Sequence, residues 1–499
     1  MSEMTNRTRH PEHEAEPHPR RWLALFILLL AGFMNLIDVT IVNVALPRLQ
    51  ASFEATSSQI EWMVAAYVLA FALGLLPFGR LGDTIGRKRM FLAGVTLFTL
   101  FSGFCGLAPS MTSLILARIL QGFAGAMMMP QVLAIVQVIF PPSERGLAFS
   151  FFGLSAGLAS VAGPLVGGLL IQADILGLDW RPIFLVNLPV GIVTILAGWA
   201  LIPPMPGNRA LSHDPAGVLI AGISVLLLVF PLIEGRGFGW PAWAFIMVAA
   251  AFAGLVCFYV YERSRALAGR TQLLPASLMA NGGYMLGSLM SMIFFSGVAG
   301  FFLVFAVFLQ TGFGLDPLWS GLTTIPFPCG VLVASFVSGR LRGRWSRLRI
   351  AAGAGLLIVG MLGMIMVVAG VGDTLNHWHF VVPLALCGFG MGIAISSLFQ
   401  TVLANVPPMD AGAGSGALQS FQQIGSALGI AITGEIFFSV LERGLRSGAA
   451  SHVAFVEAMG RALYYEIVAF ALVIVLVLML KRPAEYGSHG HAGPVRAEG

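Results

Sequence analysis

The sequence predicts an all-α integral membrane protein of fourteen membrane-spanning helices, built as two six-helix halves with an inserted helix pair. Three observations predict it. Of the 499 residues 57% are hydrophobic and only 10% charged, where a soluble chain carries about 25% charged residues. Apolar runs of about 20 residues, enough to cross a hydrocarbon core of about 30 Å, recur along nearly the whole chain. The basic residues gather in short polar segments between those runs, where they anchor a topology.

A polar tail over 1–21 precedes the first run. It has no short cationic region and cleavable site, so the first run is expected to stay in the protein as a span. The runs fall at about 22–46, 60–80, 88–108, 112–138, 148–171, 181–201, 215–234, 241–261, 283–309, 318–339, 349–370, 380–404, 414–438 and 462–480. Pro109, Pro141–Pro142, Pro203–Pro204, Pro407–Pro408 and Pro483 punctuate their ends. With the amino terminus inside, 21 of the 28 Arg and Lys residues lie in inner segments and six in outer ones, leaving Arg118 within a span. That bias places both termini in the cytoplasm.

The resulting division is a cytoplasmic tail over 1–21, an amino-terminal half over 22–201 and an inserted pair with its loops over 202–270. A carboxy-terminal half over 271–480 and a cytoplasmic tail over 481–499 follow. A cationic turn at 79–89 after the second run has a fainter counterpart at 339–349 after the tenth, with nothing there to replace Asp83. Loops are short apart from an outer segment at about 439–461, so no folded domain is expected outside the membrane.

Charged residues inside apolar runs carry the functional reading. Asp38 lies well inside the first run. A carboxylate in hydrocarbon is costly, so it must face protein or a wet cavity and is readily neutralised by a proton. A competing reading makes it a structural group hydrogen-bonded to Thr40 or Asn43. Arg118 keeps its charge even when buried and needs carboxylate or carbonyl partners, Asp38 among them. Its place near the start of a run also permits snorkelling.

The fifth run carries Gly163, Pro164, Gly167 and Gly168, a crowded and bendable pattern suited to a gating helix and equally explained by helix packing. In the turn at 79–89, Gly79, Asp83, Gly86, Arg87 and Lys88 form a candidate conformational latch, tying neighbouring helices through salt bridges. Candidates for substrate contact are Asp38, Glu435, Gln423 and Phe305, with Glu61 at the border of a mouth. Glu61 and Glu466 are read as near span ends. Phe305 belongs to a Phe- and Met-rich ninth run that plain packing also explains.

Absences narrow the class. No Gly-x4-Gly-Lys-Ser/Thr loop appears, so ATP-driven transport by this chain is not expected. No nucleophile–base set or metal-ligand spacing stands out, so neither enzyme chemistry, metal nor cofactor is expected. Cys105, Cys257, Cys329 and Cys387 read as small apolar fillers. The net charge of +5 is spread over loops and not along a stripe, which argues against nucleic acid.

The turn over 79–89 resembles the signature between helices 2 and 3 of the major facilitator superfamily. The stretch over 36–47 around Asp38 resembles the first-helix signature of its fourteen-helix drug:proton antiporter branch, which comprises multidrug efflux permeases. Arg118, Gln121 and Gly122 match the helix 4 signature, and Gly163–Pro164 with Gly167–Gly168 resembles the helix 5 antiporter signature, with Ala159 in place of a glycine. The stretch over 179–189 resembles the start of helix 6, with Pro182 replacing an aromatic. The resemblance spans almost all of 20–480.

It implies proton-coupled export of lipophilic or cationic drugs by alternating access, with Asp38 and Arg118 in the coupling path. The implied setting is a multi-pass protein of the inner cell membrane, working as a monomer on a small-molecule substrate and protons. A periplasmic adaptor, as some relatives use, would have the segment at 439–461 to contact. A dedicated exporter of one metabolite is the alternative, and paired polar groups at one depth would favour it. A non-transporting membrane sensor is a third reading, and it would tolerate loss of the Asp38 charge.

Overall fold

In lipid every backbone polar group must be satisfied within its own segment, and the chain does this with helices. The computed structural model describes residues 19–207, 214–235, 237–270, 272–340, 346–372, 375–403, 406 and 411–480, and no strand occurs among them. The helices are α1 (Arg21–Phe53), α2 (Ser57–Ile85), α3 (Arg87–Gly106), α4 (Met111–Ile139), α5 (Pro142–Ala173), α6 (Pro182–Leu185), α7 (Asn187–Leu201), α8 (Pro215–Glu234) and α9 (Ala242–Leu267). They continue with α10 (Ala276–Ala280), α11 (Gly282–Val307), α12 (Pro317–Thr324), α13 (Pro326–Arg340), α14 (Ser346–Ala369), α15 (Val381–Leu403), α16 (Ala411–Arg446) and α17 (Ser451–Met479). The expectations for the tails, Arg209, Arg236, the middle of the turn at 339–349 and Pro407–Pro408 lie outside the described residues.

Among the described residues, thirteen helical segments are long and apolar enough to cross a membrane. The remaining expected span falls on α5, a helix of 32 residues whose described apolar part is Ala162–Ala173. Local chemistry sets several starts. Thr56 with Gln59 and Ser110 with Ser113 form reciprocal caps at the heads of α2 and α4, and Asp214 and Asn281 cap α8 and α11. Pro47, Pro77, Pro130, Pro164 and Pro231 lie inside helices, as membrane helices tolerate when neighbours re-satisfy the freed carbonyls.

Packing repeats between the halves. α1 packs on α5 and α7, and α3 on α4, just as α11 packs on α16 and α17, and α14 on α15. The pairing of α2 with α4 recurs as that of α13 with α15. The halves meet where α2 lies on α16, where α5 lies on α12, and where α1 touches α11. The inserted α8 and α9 pack on each other, and α8 leans on α2 and α16. Only Ala244, Ala251 and Glu262 of α9 are buried, so its apolar surface is left for lipid.

One expectation is corrected here. The outer segment at about 439–461 is not a long loop. Helix α16 runs on to Arg446 and α17 begins at Ser451, so the two helices extend past their apolar runs and turn over 447–450. Sequence hydropathy stops at the lipid boundary, whereas the helices do not.

Candidate functional site

The amino-terminal half encloses a buried polar network centred on Asp38, midway along α1. Asp38 is fully buried and Arg118 is 1% exposed. Arg118 Nη1 donates to Asp38 Oδ2 at 2.5 Å and to Gln121 Oε1 at 2.7 Å. Gln121 Nε2 donates to Asp38 Oδ1 at 2.9 Å and to Ser102 Oγ at 2.7 Å. Asn187 Nδ2 donates to the same Oδ1 at 3.1 Å and to Ser102 Oγ at 3.3 Å. The carboxylate thus collects three donors from α4 and α7. Two charges taken out of water are tolerable only when paired and further hydrogen-bonded, and this pair is both.

Small residues make the approach feasible. A Cβ at Gly122 would lie 2.5 Å from Tyr67 O, and one at Gly125 would lie 2.8 Å from Asn35 Nδ2. These two glycines let α4 settle against α2 and α1, while Arg118 and Gln121, three residues apart, share the face turned to Asp38. The guanidinium carbon stands 3.9 Å from the centroid of the Tyr67 ring, a cation–π contact. Asn35 Nδ2 in turn donates to Tyr67 Oη at 2.7 Å. Arg118 does not snorkel, and Asp38 does not rest on Thr40 or Asn43: Thr40 Oγ1 bonds back to Leu36 O and Ile37 O.

The glycines of α5 serve two partners. Gly163 and Gly167 sit against α1, where a Cβ would overlap the Thr40 side chain or lie 2.8 Å from Ile41 Cγ1. Gly168 and Pro164 sit against α12: a Cβ at Gly168 would lie 2.6 Å from Leu318 Cα, and one at Gly321 would lie 2.5 Å from Pro164 O. This helix therefore fills the seam between the halves, two residues along from the Asp38 level of α1. Nearby, Gln310 Nε2 donates to Val44 O at 2.8 Å, again across the seam.

The turn between α2 and α3 ties together helices of the amino-terminal half. Arg87 Nε donates to Asp83 Oδ1 at 3.0 Å, and its Nη1 donates to Ala134 O of α4 at 3.0 Å. Lys88 Nζ donates to Trp199 O and Ile202 O, at 2.7 and 2.5 Å, at the end of α7. Gly86 has φ +104°, a backbone that favours glycine, and Met205 O closes the space beside it. Gly79 makes only an ordinary contact with Pro130, whereas a Cβ at Gly82 would overlap Gln131, whose Nε2 donates to Phe78 O. Gly82, and not Gly79, is the close-approach glycine of the turn.

The other candidates lie apart from this network. Glu61, read as near a span end, is fully buried against α16, and a Cβ at Gly434 would lie 2.7 Å from its Cδ. The next residue, Glu435, accepts from Trp240 Nε1 at 3.3 Å, and Trp62 Nε1 donates to Glu234 Oε1 at 2.8 Å. Glu61 and Glu435 thus face a shared seam between α2 and α16, beside the loop joining α8 to α9. Gln423 is half-buried on α16. Phe305 is fully buried in a stack, 5.1 Å from Phe301 and 6.4 Å from Phe308, with Phe380 edge-on at 5.4 Å. An apolar cavity of about 300 Å³ opens where α8 and α9 meet α2 and α16, lined by Leu76, Val225, Phe258, Met285 and Phe421 among others. Neither Phe305 nor Gln423 lines it.

Ser102, Asn187 and Asn35 have no role in the sequence analysis, and Tyr67, which sequence position puts with Glu61 and Trp62 at the border of a mouth, instead meets Asn35 and Arg118. Each is a polar residue within or beside an apolar run, but no spacing rule joins five helices at one point.

Comparison with known proteins places this arrangement in a family. The profile of the Major Facilitator Superfamily matches residues 28–430. The chain belongs to that superfamily. As a Major Facilitator Superfamily member it is a multi-pass membrane transporter of small molecules and not an enzyme. It is 39% identical over 426 residues, 85% of this chain and 74% of the relative, to the "Probable actinorhodin transporter" of Streptomyces coelicolor. It is 33% identical, over 85% of this chain and 77% of the relative, to "Multidrug resistance protein Stp" of Mycobacterium tuberculosis. Its fold is similar to a bacterial homologue of the human lysosomal transporter Spinster, solved in an inward-facing and occupied conformation. That match has a TM-score of 0.63 and 17% identity, covering 93% of this chain and 97% of that one.

Proposed function

We propose that this transporter exports lipophilic or cationic drugs in exchange for protons by alternating access. The observation that carries the reading is a fully buried carboxylate, Asp38, held by Arg118, Gln121 and Asn187 beside the α5 seam. Protonating Asp38 removes the charge that Arg118 pairs with, while Arg118 retains Gln121 and the Tyr67 ring. The network thus has two states, and α5, whose glycines rest on α1 and α12, is the element placed to pass the change to the seam. Asp83, Arg87 and Lys88 act as a latch by holding α2, α3, α4 and α7 as one body. The seam carrying Glu61 and Glu435, with Gln423 further along α16, supplies substrate contacts, and Phe305 supplies one when the halves part.

The same proposal keeps the division at 22–201, 202–270 and 271–480, with both termini cytoplasmic in an inner membrane, and function as a monomer. An adaptor would meet the outer segment at about 439–461, the ends of α16 and α17 with the turn between them. A dedicated exporter of a single antibiotic is the second reading, favoured by the 39% identity to a relative named for actinorhodin and by one at 31% named "Tetracenomycin C resistance and export protein" of Streptomyces glaucescens.

Uptake into everted membrane vesicles separates the two readings. The proposal predicts energised, uncoupler-sensitive accumulation of several unrelated lipophilic cations and dyes, lost in Asp38→Asn. Accumulation of one compound class alone supports the dedicated exporter. No accumulation of any compound by well-expressed wild type contradicts both.

A further inference from the structure

The carboxy-terminal half has a buried acid that the coupling network does not use. Glu466 lies midway along α17, fully buried, and neither of its carboxyl oxygens has a hydrogen-bond partner among the described residues. The sequence reading placed it near a span end. The helix begins at Ser451, before the apolar run that starts near 462, so Glu466 lies midway along the helix and about one turn inside that run, where packing buries it.

The surroundings offer it no counter-charge. Tyr465 points away and donates to Ser296 Oγ of α11 at 2.9 Å. On α11 the one titratable side chain is Tyr284, in the first turn. On α14 only Arg347 and Arg349 ionise, also in the first turn. From α16 come Glu435, turned to Trp240, and Glu442, Arg443 and Arg446 in the last turns. The remaining ionisable groups of α17 are His452, Glu457, Arg461 and Tyr464, of which Arg461 is exposed and lies 3.8 Å from Glu457. Within electrostatic reach of Glu466 are the Cys387 thiol of α15 and the Tyr465 phenol.

An ionised carboxylate there would have neither pairing nor hydrogen bonds, a state that proteins avoid by keeping the proton. Asp38 is the reverse case, with a cation and three donors. We propose that Glu466 is a second proton-carrying group, loaded in the conformation described here and emptied when the carboxy-terminal half opens to water during the cycle. The step is a transfer of one proton between the carboxyl group and water, with no other bond made or broken. It rests on the reading of proton-coupled export, and adds a second proton per substrate.

Two measurements test it. In purified, reconstituted protein, infrared difference spectra between low and high pH, and with and without a transported dye, should show a protonated-carboxyl band that disappears. That band should be missing in Glu466→Gln and present in Asp38→Asn. A Glu466 band unmoved by both pH and dye overturns the proposal, whether or not transport is proton-coupled. In proteoliposomes under a pH gradient alone, each coupled proton multiplies the limiting gradient of a neutral substrate by about tenfold per pH unit. Glu466→Gln should therefore lower the limiting gradient about tenfold at one pH unit while transport persists. An unchanged limit in that variant assigns Glu466 a structural proton and overturns the proposal. A wild type that moves no protons defeats the export reading itself, and leaves the infrared result to decide on Glu466.

Discussion

The two halves pack by the same plan and fill it with opposite chemistry. In the amino-terminal half, Asp38, Arg118, Gln121, Ser102, Asn187 and Tyr67 converge from α1, α2, α3, α4 and α7 on one buried point. In the carboxy-terminal half, Phe294, Phe301, Phe305 and Phe308 occupy the interior, and Glu466 is the one fully buried carboxyl group there among the described residues. A polar network with paired charges has alternative states separated by a proton. An aromatic stack has one good packing and resists rearrangement. The difference puts a charge-paired, proton-switched network in one half and a single unpartnered acid beside a packed aromatic interior in the other.

Removing the cation should break that contrast most severely. Arg118→Ala leaves Asp38 buried and unpaired, with an expected loss of about 3–5 kcal/mol in stability and no transport. Thermal unfolding of detergent-purified protein checks the first part and vesicle uptake the second. Arg118→Lys should restore folding better than transport, because a shorter, compact ammonium loses the planar face that lies 3.9 Å from the Tyr67 ring while it keeps a charge for Asp38. Equal rescue of both would count against a coupling role for the arginine.

The aromatic half should respond in stability. Phe305→Ala is expected to lower stability by about 3 kcal/mol through the cavity it leaves in the Phe301–Phe308 stack. Residual transport per folded molecule should change little in proton coupling. Uptake of at least one apolar substrate class should also weaken, since Phe305 is proposed to meet substrate when the halves part; unchanged uptake of every substrate would take it off that path.

Gly163→Val sharpens the comparison at the seam. The added side chain must displace Thr40 on α1, so transport should fall at least tenfold while the protein remains folded, as judged by gel filtration and helical circular dichroism. The smallest stability effects belong to the loop. Lys88→Ala and Asp83→Asn remove contacts at the membrane edge, and stability should move by no more than about 1 kcal/mol. Transport should slow nonetheless if those contacts act as a latch. Arg446→Ala, which breaks an exposed pair with Glu442, should change neither stability nor transport.

What could be read in advance followed from energetic cost. Asp38 and Arg118 stand out because charge within an apolar run demands a reason, and the glycines of α5 because a helix seldom omits so many side chains. Their partners were harder to see. Gln121 lies one turn from Arg118, but Ser102 and Asn187 come from α3 and α7, and only the folded chain brings them to the same carboxylate. Glu466 stands about one turn inside the apolar run that begins near 462, and only the folded chain shows it buried without a partner. Glu61 does lie near the head of α2, but its burial comes from Gly434 on α16, far away in sequence. Hydropathy reports where lipid lies and not how far a helix extends or what covers it.

The measurement closest to the central claim is substrate-driven proton movement in proteoliposomes, comparing wild type with Asp38→Asn across lipophilic cations, dyes and antibiotics. The account predicts a pH signal in wild type with several unrelated compounds, and none in the variant although it reconstitutes equally well. A full proton signal in Asp38→Asn would contradict it, because the charge held by Arg118, Gln121 and Asn187 would then have no part in coupling.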